Sequence, residues 1–385
     1  MIRPVNLIRI LCVLALLLGV GCQSRDSRGG RTEAGAEAGA APSPPARGGG
    51  ADARPVGAGW VWTVPPPAWA GMPAADERDI AFTYGHQHLV LLDEKGRLQW
   101  DVHRLGLRDV APRLGPELVL AATDDGLAAF ARSDGAKLWD TGLAERANTP
   151  VIAGGLAVTS TWEGAVVGLD LATGTVVWRA ALPGPALGPP ATDGATVVVA
   201  WDRTDLRIGA AVALDASTGR QRWATPLPGG GISAPALTST GSAVMVAGDL
   251  AAHGLDIASG EERWRTPVEG AGSPEVPPLA VEGGSVLVGH RLGGLDLLDA
   301  TTGRRTWTVA TDGASVRGAP VAGPHGRYAF PLNDGRVLLA GPSRETELLR
   351  PPAGRISGVA TGPGGFLVGA TRESTVNTVE AGPAW

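Results

Sequence analysis

Five histidines are the first residues whose chemistry merits weighing. His86 and His88 lie two apart in TYGHQHLVLL, so on a strand both imidazoles project from one face as half of a zinc site. No cysteine or nearby acid completes a four-ligand set. His253, His290 and His325 fall one per repeat near strand–turn junctions, where distant repeats could bring them together at one end of a central channel. They read as ordinary polar turn or channel residues. Asp170, Asp215, Asp256 and Asp299 each open a turn, but none has the dense carboxylates of an EF-hand loop, so calcium is not expected there. No nucleophile elbow, phosphate loop or zinc-protease motif occurs. The expectation is a chain with no catalytic residues, no metal and no cofactor.

The acids are explained by a repeated phrase. LDLATGTVVW (169–178), LDASTGRQRW (214–223), LDIASGEERW (255–264) and LDATTGRRTW (298–307) share one form, with looser copies at 92–100 and 130–139. In all six a glycine stands four residues before the tryptophan: Gly96, Gly135, Gly174, Gly219, Gly260 and Gly303. The phrase is a hairpin: the Asp side chain accepts turn N–H groups, Gly supplies positive φ, and the chain returns to the Trp. Trp100, Trp139, Trp178, Trp223, Trp264 and Trp307 follow one another at 39, 39, 45, 41 and 43 residues, the mark of a repeat array. A Trp once per unit is too large for the interior of one small sheet and is expected to pack between sheets, worth roughly 2–3 kcal/mol each.

Between tryptophans each unit holds a Pro-marked start and runs of β-branched and small residues separated by turn signals, which makes four strands. Four strands in such a repeat form a propeller blade. A seventh unit (310–348) keeps the pattern with Leu348 in the Trp slot and Arg344 in the Gly slot. Three further strands follow, and Gly59–Val64 supplies a missing fourth, with Trp62 standing 38 residues before Trp100. The expected fold is therefore all-β: an eight-bladed β-propeller of four-stranded antiparallel blades over 57–385, closed by the N-terminal strand.

The first 21 residues read as an export signal, with Arg3 and Arg9 ahead of the apolar Ile10–Val20. The two cysteines are Cys12, inside that signal, and Cys22, at its end, so the mature chain forms no internal disulfide. Residues 22–56 are rich in Gly, Ala, Pro and Ser and read as a disordered tether. A net charge of −5 without a basic stripe gives no support for nucleic-acid binding.

A Cys directly after small residues (Leu18-Gly19-Val20-Gly21-Cys22) resembles a bacterial lipoprotein signal, which implies acylation of Cys22; Gly19 departs from the usual Leu. Gln23 in place of Asp resembles outer-membrane sorting. With the LDAxTGxxxW repeats, the chain resembles the quinoprotein-like (PQQ-type) β-propellers, and among them the lipoproteins of the outer-membrane β-barrel assembly machinery. The resemblance covers roughly 59–380 and implies a structural role for the six repeat tryptophans. It also implies an outer-membrane, lipid-anchored scaffold whose propeller faces the periplasm, with envelope proteins, among them the β-barrel assembly complex, as partners. Quinoprotein dehydrogenases share the repeat; a PQQ- or metal-dependent oxidoreductase is the alternative, as is a sensory or adhesive propeller. Many of those dehydrogenases carry a vicinal disulfide, which this chain cannot form. The longest spacing, before Trp223, is filled by Trp201, Asp202, Arg203, Asp205 and Arg207, a candidate partner-binding loop.

Overall fold

A computed structural model describes residues 54–382 apart from 57–58, 65–67, 269–275, 282, 291–292, 324–325, 342–345, 350–355, 363–366 and 372–377. The signal segment, Cys22, the tether to residue 53, His325 and Arg344 lie outside the described residues. The last residues of the segment read as tether, Arg54–Val56, form a strand.

Seven four-stranded antiparallel meanders follow one another, at 74–103, 113–142, 151–181, 191–228, 236–267, 279–309 and 321–349. They are numbered here as the first to seventh blades. Their innermost strands meet in sequence around a ring. Ala74–Ala75 touches both Arg113–Leu114 and Ile356–Thr361, and the same relation runs from Val151–Ala153 through successive blades to Ile356–Thr361. The Thr149 hydroxyl, donating to the Ala111 carbonyl at 3.0 Å, joins the second blade to the third.

The expectation of eight four-stranded blades is corrected here: among the described residues there are seven. The remaining sheet is not a four-stranded unit, because it has five strands drawn from both ends of the chain. Gly59–Thr63 pairs antiparallel with Thr378–Gly382, Trp60 opposite Ala381 and Trp62 opposite Val379. Arg54–Val56 then adds outside Gly59–Thr63. The extra strand covers an edge that a four-stranded unit would leave unpaired.

Strand composition follows position in the blade. The fifth blade's Ser242–Ala247 is buried throughout, since a neighbouring blade packs on each face. Its outer strand Glu262–Pro267 buries only Trp264. The core is a series of layers between blades. One joins Trp223, Ala211 and Ala213 to Met245, Leu255 and Ile257; the next joins Trp264 to Val286 and Leu298.

The repeated phrase contains a β-bulge. Ala213 faces Trp223 while Leu214 faces Gln221, so Arg222 is the extra residue. Its guanidinium turns back to Asp215 at 2.8 Å and to the Thr196 hydroxyl at 2.7 Å. Asp215 Oδ1 accepts from the backbone N–H groups of Ser217 and Thr218 and from both hydroxyls. Gly219, at φ +68°, completes the turn.

Candidate functional site: one face of the propeller

The repeat tryptophans belong to the seams between blades. The indole N–H of Trp139, Trp178, Trp223 and Trp264 donates at 2.8–3.0 Å to Leu171, Ala216, Ile257 and Ala300 respectively. Each acceptor is the carbonyl one residue past the turn Asp of the next blade. Trp100 reaches the corresponding Arg132 carbonyl at 2.9 Å. Under each ring lies the next blade's turn glycine: a Cβ on Gly174, Gly219, Gly260 or Gly303 would fall 2.4–2.6 Å from a Trp ring atom. These glycines are required by close approach as well as by φ.

Two slots differ from the sequence expectation. In the sheet that joins the chain ends, Trp60 makes the docking bond, to the Glu94 carbonyl at 3.2 Å, while Trp62 is buried against Phe82 and Tyr84. Both tryptophans stand at repeat-like distances from Trp100, so spacing could not separate them. In the seventh blade Leu348 is exposed, and Leu349 packs against the cluster of Val337, Leu339, Ile356 and Val359 instead. Trp307, which precedes that irregular blade, is only half-buried.

Three of the described histidines, His86, His88 and His103, belong to the first blade, where the His88 and His103 rings meet edge to face at 5.2 Å; His253 and His290 belong to the fifth and sixth. His88 Nδ1 lies 2.8 Å from buried Asp101, whose other oxygen accepts the Tyr84 hydroxyl at 2.9 Å, and the Tyr84 and His88 rings stack at 4.2 Å. Burial, with the Asp101 charge beside it, pushes the Tyr84 hydroxyl up, so it remains a proton donor. His86 lies 3.6 Å from Asp109. His253 is held between Asp249 at 3.0 Å and Glu262 at 3.3 Å, and His290 lies 3.0 Å from Asp296. His103 faces the Gln87 side chain at 3.3 Å, and these sets sit in the first, fifth and sixth blades. Among the described residues no three or more His, Cys, Asp or Glu side chains are grouped to hold a metal ion.

What distinguishes one region of the surface is exposed apolar side chains. In a four-stranded meander, the turn between the second and third strands and the connection to the next blade emerge at the same end. Hydrogen bonds between them knit this face, such as Asp202 N–H to the Pro185 carbonyl and Gly248 N–H to the Gly230 carbonyl. Here Leu105 is 70% exposed, Leu206 55%, Leu250 51%, Ile208 48% and Trp69 45%.

The most extended hairpin on this face joins Thr196–Arg203 to Ile208–Asp215. Its length explains the widest Trp spacing. The structure divides the five residues singled out there. Trp201 is half-buried against Gly184, where an added Cβ would lie 2.9 Å from its ring. Asp202 is buried, accepting the Thr204 hydroxyl and, at 3.3 Å, the Ile232 N–H. Arg203 donates twice to Asp205, at 3.1 and 3.0 Å, and this bidentate pair holds the Asp205 carboxyl below its usual range. Arg207 is exposed at the tip with φ +55°. Charge pattern alone hid Leu206, in the turn, and Ile208, at the start of the returning strand, both of which are exposed.

Residues 123–208 and 206–377 match the family profile PQQ_2, described as outer membrane protein assembly factor BamB. No curated protein matches. Among solved structures, the chain is similar to BamB from Moraxella catarrhalis, with 16% identity, TM-score 0.61, and coverage of 83% of this chain and 99% of that one. It is similar to the computationally designed Ika8 protein, with 13% identity, TM-score 0.69, and coverage of 81% and 96%. It is also similar to a europium-containing methanol dehydrogenase, with 14% identity, TM-score 0.60, and coverage of 80% and 84%. At these identities the structural likeness speaks for the fold alone.

Proposed function

Since the chain belongs to the PQQ_2 family, described as outer membrane protein assembly factor BamB, we propose that it is a non-catalytic scaffold assisting the assembly or insertion of outer-membrane β-barrel proteins. In this reading Cys22 is acylated, the chain is anchored to the outer membrane, and the propeller faces the periplasm. Its partners are envelope proteins of the assembly complex, not nucleic acid.

The observation carrying the binding role is the exposed Leu206–Ile208 tip, with Leu250 on the equivalent hairpin of the next blade. Apolar side chains at such exposure are ordinary singly but mark a docking surface when grouped on projecting loops of one face. The neighbouring Arg203–Asp205 pair and Arg207 supply the polar rim that gives such a contact its register.

A quinone- or metal-dependent oxidoreductase is the competing reading, suggested by the dehydrogenase neighbour. The described side chains give it no support: among them no three or more His, Cys, Asp or Glu are grouped to hold a metal ion. No reaction step is derived.

Affinity capture from detergent-solubilised envelope, with wild type and a Leu206→Asp/Ile208→Asp double variant, tests the proposal. Recovery of the barrel-assembly subunits by wild type, and their loss from a folded double variant, is the expected result. Stoichiometric quinone on the purified protein, or capture unchanged by the double variant, would overturn it.

A further inference from the structure

On the same face, away from the Leu206 hairpin, two guanidinium groups rest on one indole. The Arg108 and Arg146 guanidinium carbons lie 5.1 and 5.0 Å from the Trp162 ring centroid. The indole is fixed in place, because its N–H donates to Asn148 Oδ1 at 2.9 Å. Asn148 is itself buried and anchored by its amide to the Ala186 carbonyl at 2.8 Å and the Ser160 hydroxyl at 3.0 Å.

The two arginines are not equivalent. Arg146 is exposed and paired with Glu163 at 2.9 Å, and its backbone N–H donates to the same carboxylate at 2.8 Å. Arg108 is half-buried and, among the described residues, has no carboxylate within ion-pair distance; the Trp162 ring is its side-chain partner. Burial lowers its proton affinity, and repulsion from Arg146 acts in the same direction against the attraction of Asp124, Glu163 and Asp109. A cation held this way lacks hydrogen-bond acceptors that water supplied, and an aromatic face replaces only part of that loss. Besides Arg146, the carboxylates of Asp124, Glu163 and Asp109 act on Arg108, so a ligand with a single negative charge is repelled less than a phosphate dianion. The planar guanidinium fork also suits a carboxylate's two oxygens.

We propose that the Arg108–Trp162–Arg146 cluster is a carboxylate-binding site, with Arg108 as the anchoring charge and Trp162 as the platform that orients it. The carboxylate belongs either to a small organic acid or to an acidic side chain of a polypeptide. This inference is independent of the assembly role.

The test uses the full-length chain in detergent, labelled with ¹⁵N at tryptophan, so that the 12 indole signals report separately. The Trp162 signal is assigned by its loss in Trp162→Phe. Propionate, the blocked peptide acetyl-Gly-Asp-Gly-amide and inorganic phosphate are titrated in parallel. A saturable shift of the Trp162 signal with propionate or the peptide is expected, with phosphate weaker. Saturation by propionate alone assigns a small acid, and markedly tighter binding of the peptide assigns a polypeptide. Arg108→Gln should weaken binding about tenfold or more, Arg108→Lys should weaken it less, and Arg97→Gln should leave it unchanged. The unperturbed indole signals of other blades establish that the variants fold. No saturable shift with either carboxylate, phosphate binding at least as tight, or unaltered binding in a folded Arg108→Gln protein would overturn the proposal.

Discussion

Trp223 rests on Gly260 across a blade boundary: a Cβ on Gly260 would lie 2.5 Å from Trp223 Cδ2, while the Trp223 indole donates to the Ile257 carbonyl at 2.8 Å. Nearby, the Thr225 hydroxyl donates to the Gly260 carbonyl at 2.6 Å, so ring face, indole N–H and hydroxyl all grip one turn. The same triple grip recurs where Thr141 meets Gly174 and where Thr266 meets Gly303, each at 2.7 Å. The repeat phrase therefore codes a joint between two blades, its Gly serving the preceding blade and its Trp the following one.

Gly260 and Gly241 separate backbone strain from close approach. Both are left-handed, at φ +77° and +76°, but a Cβ on Gly241 meets nothing within 4 Å. Gly241→Ala should cost about 1–2 kcal/mol, the penalty of placing an L-residue there. Gly260→Ala should cost about 1–3 kcal/mol more, because Trp223 must be displaced. Urea unfolding of the two variants reads the difference, and equal midpoints would refute the joint.

Trp223→Ala should lose about 3–5 kcal/mol through an inter-blade cavity and an unmet Ile257 carbonyl. Trp307→Ala should lose less. Trp307 is half-buried and faces a blade whose sequence at 341–345 reads GPSRE where the other blades carry the Asp–Gly phrase. Parallel denaturant curves check the order.

Trp60→Ala should weaken the seam between the end-joining sheet and the first blade by about 2–4 kcal/mol, since it removes buried surface and the bond to Glu94. Thermal unfolding should lose cooperativity, with the terminal strands exchanging amide protons faster than those of the fourth blade. Uniform exchange would show that this seam is not the weak one.

The Asp215 carboxyl is held well below its usual range, first by the Arg222 guanidinium and then by the Ser217 and Thr218 hydroxyls. A carboxyl lowered in the folded chain contributes stability that is present above its unfolded pKa of about 3.9. That contribution fades as pH falls below this value through the folded pKa. The difference in melting temperature between wild type and Asp215→Asn should therefore be constant from about pH 5 to 8 and narrow below about pH 4. Scanning calorimetry across that range checks it; a difference that widened on acidification would contradict the assignment.

The repeat, its strands and its turn were legible in the sequence because they are local. Alternation of apolar residues, Asp side chains that cap their own turns and Gly at positive φ all act within ten residues. Features that depend on contact between distant parts of the chain required the tertiary structure. Trp60 and Trp62 stand in equivalent sequence surroundings, and only the placement of Glu94 decides which one docks. Leu348 and Leu349 are adjacent, and the seventh blade's register decides which one is buried. The number of four-stranded blades turned on whether Arg54–Val56 adds to the sheet joining the ends, a pairing between segments with no periodic signature. The candidate face followed the same division. Its charged residues could be read from composition, but whether Asp202 faces inward, Leu206 outward or Arg108 onto Trp162 depends on which loops meet. That is settled by hydrogen bonding and burial between neighbouring blades, which no local pattern records.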